Sequence, residues 1–159
     1  MEVEQRADDV GLYRPRGADY AIIAEDPDAK PITPFVHWVA WNIPPDVTKL
    51  PEGVQEQPRL TEPAGMLQGR TSRGVVGYFG PRPPVGDKQH HYHFQILALD
   101  KMLDIPPGAD RDQVLAAAEG HVIAKGELIG TYAQTVAPQN KHRHDKGRPF
   151  SGAALTFGQ

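Results

Sequence analysis

Apolar positions along this chain fall in short blocks separated by proline and glycine, a pattern of brief strands and turns. Tyr20-Ala-Ile-Ile-Ala24 is an apolar run stopped by Asp26-Pro27, which predicts a buried strand ending in a turn. Phe35 to Ile43 is rich in aromatic and branched residues and predicts a second strand. Strict alternation would put Phe35, His37, Val39, Trp41 and Ile43 on one face, and Val36, Trp38, Ala40 and Asn42 on the other. Neither set is polar throughout, so this strand is expected in the middle of a sheet, covered on both sides. Residues 46–74, with Pro51, Gly53, Pro58, Pro63, Gly65, Gly69 and Gly74, read as loop with at most one short strand.

Val75–Phe79 predicts another brief strand, and Gly80-Pro-Arg-Pro-Pro-Val-Gly86 a stiff loop. His91–Asp100 is the longest strand expected. Asp110 with Gln113 spells a capping box ahead of Val114-Leu-Ala-Ala-Ala118, which predicts a helix closing at Gly120. His121–Tyr132 returns as a strand, with Gly126 and Gly130 as bulge or turn positions. The pattern divides the chain into a polar N-terminal segment (1–19), a folded domain (20–136) and a loosely held basic tail (137–159) containing the run Lys141–Arg148. The expected fold is mainly β, an antiparallel β-sandwich with one or two short helices.

Composition narrows the functions open to such a domain. Sixteen Pro and sixteen Gly in 159 residues are too many for a helical bundle. A net charge of −3 argues against a dedicated nucleic-acid binder, which needs a positive field to neutralise phosphates. No apolar run approaches the length of a membrane span, and the acidic start MEVEQRADDV is unlike a signal peptide, so a cytoplasmic location is expected. With no Cys, disulfides, thiolate nucleophiles and Cys-ligated zinc are excluded. No cofactor is expected.

Polar groups concentrate in three places where strands would not ask for them: Asp26-Pro27-Asp28, His37-Trp38, and Gly80 through His90-His91-Tyr92. Convergence of those segments would assemble carboxylates, imidazoles, a phenol and rigid backbone. Protonated His and Tyr O–H donate to anionic oxygens, and neighbouring Asp would orient the imidazoles and favour their charged form.

These residues resemble the phosphatidylethanolamine-binding protein (PEBP) family, in its bacterial Raf kinase inhibitor-like branch. Asp26-Pro27-Asp28-Ala29 and His37-Trp38 leading to Asn42-Ile43-Pro44 are similar to its first box. Gly77-Tyr78, Gly80-Pro81, Pro83-Pro84, Gly86, His90 and Tyr92-x-Phe94 are similar to its second. Ala98-Leu99-Asp100, Gly120-His121-Val122 and Glu127-Leu128-x-Gly130-x-Tyr132 resemble its C-terminal part, so the likeness runs from about Tyr20 to Tyr132. It implies a β-sandwich with a shallow pocket for phosphate-like groups, formed by Asp26, Asp28, His37, Pro84, His90 and Tyr92 and flanked by Trp38 and Pro81. It also implies a regulatory role with a kinase or protease partner and no shared catalytic activity. Two departures stand out. Only 25 residues precede Asp26, so an edge strand is expected to be missing or replaced by residues 1–17 or by the tail, which makes a homodimer an expectation. His91 stands where the family usually has Arg.

Three functions compete. The first is non-enzymatic binding of a phosphate or phospholipid head group, expected to be tighter at pH 5.5 than at pH 8 because His37 and His90 must donate. The second is a phosphate- or carboxylic-ester hydrolase using Asp28 as base or nucleophile and His90 as acid. The third is a metal binder using His91, His93 and the tail histidines, although two ligands alone make a poor site.

Overall fold

The structure, a computed structural model, describes residues 18–135 together with Leu155–Thr156. The described residues form a mainly β domain: β1 (Asp19–Asp26), β2 (Phe35–Ile43), β3 (Lys49–Leu50), β4 (Leu67–Gln68), β5 (His90–Leu99), α1 (Arg111–Ala118), β6 (Val122–Tyr132) and β7 (Leu155–Thr156). One antiparallel sheet has the order β4-β2-β1-β5-β6, and β3 pairs with β7 in a second, two-stranded sheet. The N-terminal segment and most of the basic tail lie outside the described residues, as do the tail histidines.

The middle strands β1 and β2 are buried on both faces, as their mixed composition requires. On one face Tyr20, Ile22, Ala24, Trp38, Ala40, Ile43, Tyr92, Phe94 and Ile96 pack with Leu50, Leu60 and Met66 from the β3 side. On the other, Ile23, Val36, Val39, Trp41, Leu97 and Leu99 pack with Leu103, Ala109, Val114 and Ala118 of the α1 side. α1 starts at the expected capping box, with Asp110 accepting from the Gln113 backbone and the Gln113 side chain accepting from the Asp110 N–H, both at 2.9 Å.

Two local findings depart from the alternation expected of β2 and from the strand expected at Val75–Phe79. In β2, Ala24 pairs with Trp38 but Glu25 pairs with Val36, so His37 is an extra residue, a β-bulge. A second slip lies between Tyr20↔Ile43 and Ile22↔Ala40, beside Asn42 at φ 54°. Asn42 tolerates that left-handed backbone and trades two hydrogen bonds with the Leu103 backbone, at 3.0 and 2.8 Å. The bulges put Trp38, Ala40 and Ile43 on the face of Tyr92, and Val36, Val39 and Trp41 on the other. Residues 75–79 make a single bridge, Val76 to Arg70, because Gly77 at φ 106° ends the extended run. The chain then turns so that the Phe79 N–H donates to the His37 carbonyl at 2.8 Å.

Candidate functional site

The ends of β1, β2 and β5 and the loops beside them enclose a cavity of about 330 Å³. Asp26, at the last position of β1, is buried and anchors its floor. Pro27 has no N–H, so the next amide available is that of Asp28, which donates to Asp26 Oδ1 at 2.8 Å in an Asx turn. The other Asp26 oxygen accepts from His90 Nδ1 at 2.6 Å. His90 Nε2 faces Asp87 Oδ2 at 3.2 Å, delivered by the turn in which the Asp87 N–H donates to the Pro84 carbonyl. Both neighbours are carboxylates that accept, an arrangement that favours the doubly protonated, cationic ring. Burial pulls the His90 imidazole down, but Asp26 and Asp87 together outweigh it and hold the group above its ordinary value.

His37 is in a different state. Its Nδ1 lies 2.6 Å from the Phe79 carbonyl, which can only accept, so Nδ1 carries the proton. Burial lowers its tendency to take a second one, more than the Phe79 carbonyl and Asp26 raise it. The ring packs between Phe35 and Phe79, with Tyr92 edge-on at 5.2 Å. Tyr92 also stacks on His90, and burial followed by the Asp26 charge pushes its phenol well above the usual tyrosine range, keeping it protonated.

The cavity thus gathers Asp26, His37, Pro84, His90 and Tyr92. It does not take in Asp28, Trp38 or Pro81. Asp28 points to an outer depression, where it accepts from the His91 N–H and from His91 Nδ1, each at 2.8 Å; these bonds hold its carboxyl below the usual range. Trp38 is buried beside the cavity residues, its Nε1 donating to Gln68 Oε1 at 2.8 Å, and it lines an adjoining hollow with Tyr78, whose phenol burial pushes up to about 12. Pro81 is buried in the loop that carries Arg82. His91 and His93 do not share a ligand position: His93 pairs with Glu127 at 3.2 Å and His91 with Asp28.

Sequence reasoning missed the cations and the aromatic platform of the rim. Arg73 and Arg82 lie over the Phe79 ring, 4.9 and 5.4 Å from its centre, and both line the cavity with Lys30. The Arg82 signal was in the text of the chain, a lone charge between Pro81 and Pro83. Arg73 arrives from a turn ahead of Gly74 and could not be placed without the fold.

A domain of this kind is an antiparallel β-protein with a small, mixed aromatic and basic cavity at the strand ends. The family model for phosphatidylethanolamine-binding protein matches residues 7–133, and the chain belongs to that family. A UPF0098 protein of Pyrococcus horikoshii is 52% identical over 111 residues, 70% of this chain and 55% of the relative. One from Methanothermobacter thermautotrophicus is 49% identical over 112 residues, 70% of this chain and 71% of the relative. The chain thus spans little more than half the length of the Pyrococcus horikoshii protein. Among solved structures, a phosphatidylethanolamine-binding protein homolog from Chlamydia trachomatis superimposes with a TM-score of 0.66 at 35% identity, covering 79% of this chain and 83% of that one. Escherichia coli YbcL, a member of the mammalian PEBP family, gives 0.62 at 30% identity, covering 75% and 74%. Among the described residues no helix is long and apolar enough to cross a membrane.

Proposed function

We propose that the cavity is a receptor for a phosphate-type anion, free or as a phospholipid head group, and that the protein acts by binding rather than by catalysis. The observation that carries this reading is the rim: Lys30, Arg73 and Arg82 surround a floor whose carboxylate, Asp26, is already matched by His90. An entering anion would meet guanidinium and ammonium donors, the Tyr92 phenol, and His37, which would become a second donor on taking a proton at Nε2. The hydrolase reading is favoured less, because Asp28, its proposed base or nucleophile, accepts two bonds from His91 and does not line the cavity. Regulation of a kinase or protease would be a consequence of such binding.

Calorimetric titration with inorganic phosphate and with glycerophosphoethanolamine tests the proposal. Saturable binding is expected, tighter at pH 5.5 than at pH 8, with proton uptake at His37 visible as a buffer-dependent heat. Replacing Arg73 and Arg82 together by Ala is expected to weaken it about ten-fold or more. Absence of saturable binding at either pH would defeat the reading. So would phosphomonoester turnover that disappears in Asp28→Asn.

A further inference from the structure

A second hollow, of about 200 Å³, adjoins Trp38 and is lined by Trp38, Leu50, Pro51, Val54, Glu56 and Tyr78. It shares no lining residue with the anion cavity. Drug-sized pockets begin at about 300 Å³, so this one suits a head of a few heavy atoms. The Trp38 and Tyr78 rings form a corner, their centres 5.7 Å apart and their planes at 67°. Burial pushes the Tyr78 phenol up to about 12 and keeps it uncharged. Among the described residues neither the Tyr78 hydroxyl nor the exposed Glu56 carboxylate has a hydrogen-bond or ion-pair partner.

One buried amide locks this corner together. Gln68, in β4, is wholly buried. Its Oε1 accepts from Trp38 Nε1 at 2.8 Å, and its Nε2 donates to the Gln55 and Gln57 carbonyls at 2.6 and 2.9 Å. Those carbonyls flank Glu56 in the chain, so the backbone that carries the carboxylate is pinned to the indole. Gly77 fixes the other side: a Cβ there would stand 3.1 Å from Glu56 Cγ and 3.2 Å from its Cα and Cβ. The Glu56 stem therefore lies against the backbone that leads into Tyr78. Among the described residues the lining holds no Lys, Arg or His. An anion would meet Glu56 as a like charge, and a neutral guest would use the rings alone. A cation is drawn by all three groups, since aromatic faces carry negative potential and the carboxylate a full negative charge. We propose that the hollow binds a small organic cation, an alkylammonium head held between the Trp38 and Tyr78 rings and the Glu56 carboxylate. The site is separate from the anion cavity, and its assignment does not rest on the anion-binding reading.

NMR titration of the full chain with choline, and with its neutral isostere dimethylbutanol, tests the proposal at constant ionic strength. The two indole N–H signals are the reporters: Trp38 borders the hollow, whereas Trp41 packs on the opposite face of the sheet. Choline is expected to shift the Trp38 signal saturably in the millimolar range and to leave that of Trp41 in place. The neutral isostere, of the same shape, is expected to bind about ten-fold more weakly, because it lacks the charge that the rings and the carboxylate attract. Glu56→Gln is expected to weaken choline binding about three-fold, and Glu56→Lys to remove it. Glu56 is exposed, so both variants are expected to keep the fold, as circular dichroism checks. No saturable shift at Trp38, equal binding of the neutral isostere, or choline binding unchanged in Glu56→Lys would each overturn the assignment.

Discussion

At the scale of single residues the cavity is organised by protons held at named atoms. His90 is saturated on both nitrogens, by Asp26 inside and by Asp87 from the rim turn. Asp87 therefore acts as an internal anion at a donor that a ligand would otherwise use. Its carboxylate is exposed, so the contact is worth little in itself, and an entering phosphate can compete with it. Asp87→Ala removes both the competitor and a negative charge, and is expected to tighten phosphate binding about three-fold, read by 31P NMR titration. Weaker binding would mean that Asp87 serves instead to keep His90 protonated. His37 differs because its short bond to the Phe79 carbonyl sets Nδ1 as a nitrogen that holds a proton.

At the scale of elements the site depends on irregularity inside β2. Were β2 a regular strand, His37 and Trp38 would project to opposite faces. The bulge at His37 lets the imidazole meet Tyr92 while Trp38 packs into the same side of the sheet. The neighbouring β4 is equally exacting. Gly69 follows β4 directly, its N–H donating to the Val39 carbonyl at 2.8 Å. A Cβ there would stand 2.1 Å from the Ala109 carbonyl oxygen, which already accepts from the Arg70 N–H, and 3.0 Å from the Trp41 ring. Backbone on one side and a buried indole on the other leave no room to yield. Gly69→Ala is expected to cost about 3 kcal/mol, seen as a lower urea midpoint with an unchanged slope.

At the scale of the whole molecule the two cavity histidines pull the pH dependence of stability in opposite directions. His90 is held above its ordinary value in the folded state, so its contribution is complete below the unfolded value, about 6.5, and is lost as pH rises through the folded one. His37 is held below it, so the unfolded chain takes up the proton first, and stability falls as pH drops beneath about 6.5. Thermal midpoints of variants separate the two. His90→Gln is expected to flatten the fall on the alkaline side, and His37→Asn, which keeps a donor for the Phe79 carbonyl, the fall on the acid side. An unchanged profile in either variant would remove that histidine from the account.

Local chemistry made much of this protein legible from its residues alone. Apolar runs, proline stops and the Asp110–Gln113 capping box set the limits of β1, β2, β5, β6 and α1 to within two residues, because those signals act over neighbouring positions. The grouping of Asp26, His37, Pro84, His90 and Tyr92 was suggested by the family resemblance of the motifs that carry them, and that they line one cavity is a fact of the fold. What tertiary structure decided was everything that depends on register and on distant partners. Only pairing across the sheet could create the β2 bulges, because an extra residue is defined by the strand opposite. The direction of Asp28 was settled by His91, 63 positions away, and the place of Arg73 by a ring it meets only after folding. Periodicity describes one strand at a time, whereas a binding cavity is made where several strands end together.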